Sequence, residues 1–460
     1  MTPPESTRHD RECRLGREHG IVYSAESYYA ARGFAARWRS DGDARRIVIQ
    51  SSNHDMLIDA RTLAKGATIE ADVCIAGAGA AGITIALDLR AAGLSVVVLE
   101  SGGPARDDQT QGLSEGRMIG IDTWNIRTMR IRAMGGTTGH WAGWCRPLMP
   151  QDFQARDYVN LSGWPIKYSD MLPFYRRACE TVEIGAYDWS SAARAEATGR
   201  PLLPVSANVD QRYYQFSPPT RFGQTYAAAL EQAEDVRVLT FANVTDIRLD
   251  QQRARVESFE VRTLEGTTLH VQAARYVLAL GGIENARVLL ASRSQQPEGV
   301  ANGHDVVGRY FMEHPHYYGS IGVVHRASLD LSFYKRAESD LKRSDGTPVE
   351  ILGALGLAAK VSRDEKLLNF SATFAGPRAG RPSPGKTESD IVPSSIAQQL
   401  LMRGGGEAGT TQLTVRSEQS PFRESRIILS VRTSTRSGCP GSRSTGGLRR
   451  KTTSGCAARW

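Results

Sequence analysis

The chain has 460 residues, 23% of them charged and 40% hydrophobic, which suits two or three globular domains and excludes wholesale disorder. No run approaches the ~18 apolar residues of a membrane-spanning helix, and the six cysteines (Cys13, Cys74, Cys145, Cys179, Cys439, Cys456) follow neither a pairing rhythm nor a metal spacing, which excludes a disulfide scaffold and a zinc module. The net charge of +8 belongs to the ends: residues 431–460 hold six arginines, one lysine and no acid, residues 1–55 hold nine arginines against eight acids, and 56–430 is neutral, without the footprint of a nucleic-acid partner.

Residues 1–55 are polar and Arg-rich with no sustained periodicity, and read as an extension to the fold. They are either a flexible arm or residues upstream of a start at Met56. The N-terminus has no apolar signal-peptide core, so a cytoplasmic location is expected. Regular patterning begins at Met56, and 72–103 reads strand, glycine turn, helix, strand. Val73–Ala76 is predicted as a buried strand. Gly77, Gly79 and Gly82, with Ala80 and Ala81 between them, form G-x-G-x-x-G where a helix starts. Gly77 permits the tight turn, Gly79 lets backbone reach a pyrophosphate, Gly82 lets helix pack on strand, and the helix N-terminus offers N–H groups to phosphate. Gly93 ends the helix, and SVVVLE is the second parallel strand. Its Glu100, 18 residues after Gly82, can accept ribose hydroxyls and would repel the extra phosphate of NADP. On these residues alone the cofactor is NAD or FAD.

Further along, 235–282 reads as several short strands with turns, and 320–376 alternates well enough for the strands of a second sheet. Residues 377–410 are loop-like apart from the apolar stretch IAQQLLM. Trp141, Trp144 and Trp164 are expected in aromatic core, with a sugar-binding pocket as the alternative. Glu313, His314 and His316 suggest a metal site, but the two histidines, separated by Pro315, are expected on alternate sides of an extended strand and no further ligand cluster follows, so no metal is expected.

The runs RAMGGTTGHWAGWCRPL and YVLALGGIENARVLLAS, taken with the opening motif and the later strings SGWPI, GRYFMEHPH and RSEQSPFRESRIILS, resemble the glucose–methanol–choline family of FAD-dependent oxidoreductases, in particular its bacterial sugar and alcohol dehydrogenases and pyranose oxidases. The resemblance spans about Met56 to Ser430. It implies an α/β fold, with a FAD-binding Rossmann-type domain and a second, substrate domain built on an antiparallel sheet. The expected boundaries are 56–320 for a discontinuous FAD domain with a cover segment at about 104–210, and 321–430 for an incomplete substrate domain. Residues 431–460 are expected to be an atypical basic tail.

The resemblance also implies roles. Gly77, Gly79, Gly82 and Glu100 would hold the ADP half of FAD. Gly135, Gly136, Thr137 and Thr138 would wrap pyrophosphate and flavin, and Val244 would meet the adenine through its backbone. Gly281, Gly282 and Asn285 would form a second glycine turn beneath the dinucleotide. His140 matches a histidine that in the pyranose oxidase branch bonds covalently to the flavin; otherwise it only hydrogen-bonds near the ring. The implied reaction is oxidation of a CH–OH group on a small sugar, polyol or other polar alcohol by hydride transfer to flavin. The electron acceptor is not implied, nor is a nucleic-acid partner or an integral membrane segment. The family's proton-accepting histidine, with its histidine or asparagine partner, lies beyond the RIILS strand, where this chain has neither residue type. A shifted reading frame restores strand and helix patterning there, so a frameshift near Ser430 is expected, and no catalytic residue is assigned. A truncated, non-catalytic flavin-binding remnant is the alternative function.

Overall fold

The computed structural model describes residues 46–48, 56–120, 125–325, 330–375, 408–431 and 454–459. Most of the 1–55 extension, the IAQQLLM stretch with most of the 377–410 loop, and most of the 431–460 tail lie outside these residues. Among the described residues no helix is long and apolar enough to cross a membrane.

The chain divides into two compact units. The first comprises 1–140, 221–311 and 422–460, and the second 141–220 and 312–421. This partition differs from the expected one: 141–220, anticipated mainly as a cover on the FAD domain, clusters with the second unit. The cause is long-range pairing. Val209–Phe216 runs antiparallel to Pro348–Leu357 from Leu357↔Val209 to Ile351↔Gln215, a partnership no local pattern reveals.

The first unit is built on a sheet in the order Leu57–Asp59, Val236–Thr240, Val96–Leu99, Thr68–Ala76, Thr268–Leu278, Val256–Arg262, Asn243–Leu249, with Arg46–Val48 also paired to Thr68–Ala76. The first five strands are parallel and the last two join as antiparallel neighbours. Val96–Leu99 is buried at every position, as expected of a β-branched strand covered on both faces. Ala80–Ala91 is helical. Gly93 takes φ +72° and donates its N–H to the Arg90 carbonyl at 2.8 Å, which stops the helix where the sequence predicts. Ile69, Cys74, Val97, Leu239, Phe259, Leu269 and Val271 form the core around the sheet. A smaller sheet pairs Arg426–Val431 with Ser454–Arg459, and that strand with Gly116–Ile119, so six residues of the basic tail carry strand geometry.

The second unit holds an antiparallel sheet in the order His316–His325, Ala408–Ser417, Phe370–Ala375, Pro348–Leu357, Val209–Phe216, Trp144–Cys145, with Ala337–Lys342 paired to Pro348–Leu357. Tyr213, Phe333, Tyr334, Val349 and Ile351 are its fully buried core.

The first strand–helix junction depends on missing side chains. A Cβ on Gly82 would lie 1.8 Å from the Gly77 carbonyl oxygen, backbone that cannot swing aside. Gly82→Ala should therefore destabilise the protein by about 3 kcal/mol, within the usual range for overpacking, read as a lowered urea midpoint; a midpoint equal to wild type would refute this packing.

Candidate functional site

The parallel strands Thr68–Ala76, Val96–Leu99 and Thr268–Leu278 end near one another, and the three turns that leave them approach at backbone level. Gly77 (φ +104°) donates its N–H to the Leu99 carbonyl at 2.7 Å, and its missing Cβ would meet the Ala279 oxygen at 2.6 Å. Gly79 is the N-cap of the Ala80–Ala91 helix, which no side chain caps. The first N–H groups of a helix have no acceptor within it, so Ala80, Ala81 and Gly82 present donors and positive dipole there. Gly281 (φ +84°) occupies the same place ahead of the helix Gly282–Ala291.

The loop 133–140 closes onto this turn. Gly135 donates to the Ala78 carbonyl at 2.8 Å and forms an isolated bridge with Gly79, and a Cβ on Gly136 would come within 3.1 Å of Gly79 Cα. Gly223 supports the loop from behind: its own Cβ would lie 2.5 Å from the Met134 oxygen. The Thr138 hydroxyl donates to the Gly135 carbonyl at 2.6 Å and accepts the Phe222 N–H at 3.2 Å, so in this structure it shapes the loop. Thr137 is exposed, and so is His140, whose backbone N–H is bonded to the Thr137 carbonyl.

Glu100 lies 6% exposed at the end of its strand. Its two oxygens accept the N–H groups of Ala78 at 3.0 Å and Gly102 at 2.9 Å, tying the first turn to the segment after the acid. Burial pushes its carboxyl up to about 7, against the pull of those two N–H groups and of Arg132. Val244 is buried in the strand Asn243–Leu249 opposite Val261. Its neighbour Asn243 accepts the Ser101 hydroxyl at 2.6 Å, which brings that strand's start beside the acid. The Asn285 side chain accepts the Leu280 N–H and donates to the Leu278 carbonyl, at 2.9 and 3.1 Å, so it holds the second glycine turn in shape.

These residues fit a dinucleotide. A Cβ on Gly79, Gly281 or Gly282 would have nothing within 4 Å, so these glycines face open space, whereas Gly77, Gly82 and Gly135 face backbone. Open glycines beside uncapped helix starts, with a buried acid at the next strand end, make a surface for pyrophosphate and ribose.

Sequence reasoning missed three contributors. Ser101 and Gly102 follow Glu100, and the Arg132 carbonyl oxygen lies 2.1 Å from where a Gly102 Cβ would be. The third is Glu284, buried among Arg130, Arg132 and Arg287. The string ESGG and the acid inside GGIENA were signals available for all three.

In the second unit, Trp144 stands edge-on to Tyr214 and Phe216 at 5.0 and 5.1 Å, and the Trp141 indole donates to the Thr220 carbonyl, while Trp164 is exposed. The expectation for the histidine pair is corrected. Two residues apart, His314 and His316 share a face, and their rings stack at 4.7 Å with Nδ1 and Nε2 3.0 Å apart. Burial, His314 and Arg416 lower the His316 pKa to about 4. Among the described residues no group of three or more His, Cys, Asp or Glu could hold a metal. A cleft of about 430 Å³ in this unit is lined by Arg146, Tyr168, Trp189 and Asp210.

Two predictions follow from the first unit's geometry. Gly79→Val should fold with an unchanged melting temperature yet weaken dinucleotide binding at least tenfold by fluorescence titration; equal binding would remove the turn from the site. For Glu100, the folded carboxyl keeps its proton to about pH 7 while an unfolded one releases it near 4.5, so ionising it opposes folding. That contribution is most favourable at low pH and declines as pH rises from 4.5 to 7. Glu100→Gln should gain about 2.5 kcal/mol on wild type between pH 5 and pH 8 in denaturation of the cofactor-free protein; a pH-independent difference would contradict it.

Residues 72–299 match the FAD dependent oxidoreductase family (DAO). The chain is 24% identical over 324 residues to the fructose dehydrogenase large subunit of Gluconobacter japonicus, covering 54% of this chain and 59% of that protein. It is 24% identical over 311 residues to the 2-methyl-1,2-propanediol dehydrogenase of Mycolicibacterium austroafricanum, covering 53% and 55%. The chain thus spans little more than half the length of these relatives. Pyridoxine 4-oxidase from Mesorbium loti is similar at a TM-score of 0.44 and 16% identity, over 78% of this chain and 73% of that one. The family match covers most of the sheet, the three turns and the buried acid, and residues 72–299 form a FAD-dependent oxidoreductase domain.

Proposed function

We propose that this protein oxidises a CH–OH group of a sugar, polyol or other polar alcohol to the carbonyl, with the first unit holding FAD and the second the substrate. The observation that carries the reading is the backbone surface around Gly79, Gly281 and Gly282. The names of the relatives, a fructose dehydrogenase and a diol dehydrogenase, support the substrate class. When bound, FAD supplies the two-electron acceptor for a hydride leaving the alcohol carbon.

The chain's own part in the first unit is binding and orientation. Ala80–Gly82 present helix N–H groups to the pyrophosphate, and Glu100 has lone pairs for ribose hydroxyls beyond the two N–H groups it accepts. Donors arriving there favour the ionised carboxylate. Thr137 offers an exposed hydroxyl, and Thr138 with Gly223 keeps the loop against Gly79. Val244 is assigned to the adenine through its backbone. His140, exposed at the loop's end, is assigned to the flavin, with a covalent bond as in the pyranose oxidase branch.

Anaerobic mixing of the flavin-loaded protein with fructose or 2-methyl-1,2-propanediol should bleach the visible absorbance of oxidised flavin. Bleaching by dithionite but by no sugar, polyol or diol would refute the oxidase or dehydrogenase reading. Acid precipitation should leave a yellow protein pellet, and complete release of flavin to the supernatant would refute the bond to His140.

A further inference from the structure

The dinucleotide surface consists of separate backbone segments, and one buried carboxylate links them from behind. Glu284 sits in the first turn of the Gly282–Ala291 helix, 7% exposed, where the helix dipole favours an anion. Its Oε1 accepts from Arg130, and its Oε2 from Arg132 at 2.7 Å and from Arg287 at 2.6 Å. Burial alone would raise this carboxyl, but Arg132, Arg287 and Arg130 outweigh it and hold the pKa at about 2.

Arg132 extends the link outward. Its Nη1 donates to the Ser101 hydroxyl and its Nε to the Ser114 hydroxyl, both at 2.8 Å. Ser101 in turn donates to Asn243, beside Val244. The main chain of Arg132 rests against Gly102 and leads into the loop that bridges to Gly79. Arg132 therefore joins the residue after Glu100 and, through Glu284, the second glycine turn by its guanidinium, and the Met134–Thr138 loop by its main chain.

We propose that Glu284 is a positioning residue for FAD, acting through Arg132 to set the spacing between Ser101 and the Gly135–Gly136 turn. The inference rests on the assignment of these turns to FAD. Without the Glu284 charge, three guanidiniums remain together in a region of low dielectric and repel one another. Arg130 and Arg132 then separate, and the Ser101 anchor and the loop move with Arg132. Arg287 provides an internal control, because its bond is to the carboxylate on its own helix, three residues away.

The test is FAD titration by flavin fluorescence, on a His140→Ala background so that no covalent bond masks affinity, at a temperature where circular dichroism shows every variant folded. Glu284→Gln and Arg132→Gln should each raise the Kd at least tenfold, and the double variant should add nothing further, the mark of one shared path. Arg287→Gln should lower the melting temperature yet leave the Kd within about twofold, the behaviour of a group that only stabilises. Should Glu284→Gln fail to fold, Ser101→Ala leaves the ion cluster whole and should still raise the Kd severalfold. An unchanged Kd in Glu284→Gln or Ser101→Ala, additive losses in the double variant, or an Arg287→Gln loss as large as that of Glu284→Gln would each overturn the proposal while leaving the FAD site standing. Failure of the His140→Ala parent to bind FAD, with Gly79→Val no different, would overturn both.

Discussion

Close approach of main chain to main chain is the constraint on which the first unit depends. Gly82 against Gly77, Gly77 against Ala279, Gly102 against Arg132 and Gly223 against Met134 all bring backbone to distances no Cβ allows. The first closes one strand–turn–helix unit and the other three join segments that leave different strands, so together they align two helix starts and a loop around one open surface. The surface is mostly peptide N–H, suited to phosphate oxygens, and side chains contribute chiefly by holding that peptide in place.

Two buried carboxylates illustrate the division of labour. Glu100 and Glu284 are almost equally buried, yet one is pushed up to about 7 and the other held at about 2. The difference lies in their partners. Glu100 meets two peptide N–H groups and faces a single distant cation, whereas Glu284 meets three guanidiniums. Glu284 is therefore a fixed charge, and removing one partner from such a buried cluster typically costs about 3–5 kcal/mol. Glu100 changes charge near neutrality, so whatever donors meet it change its ionisation as well.

The local grammar of the site was legible in the sequence. G-x-G-x-x-G after VCIA, the stop at Gly93 and the acid at Glu100 stand where periodicity and spacing place them, and the glycine turn at Gly281–Gly282 stands where the family resemblance implies it. The hydroxyl of Thr138 was not legible, because its role depends on Phe222, more than eighty residues away. The histidine pair was misread through a miscounted strand period, and the placement of 141–220 through a pairing between Val209–Phe216 and Pro348–Leu357 that has no local signature.

The sequence by itself determined the strand–turn–helix unit, because short-range sterics allow few residues in such a turn, while the choice of FAD over NAD rests on the resemblance carried by the later motifs. Only the tertiary structure decided which carboxylate stays charged, which hydroxyl braces the loop, and that Glu284, Arg132 and Ser101 form one chain of contacts. Those properties are set by burial and by partners of which several, such as Ser101 for Arg132 and Arg130 for Glu284, lie 31 to 154 positions away along the chain, and separation in sequence carries no trace of nearness in space.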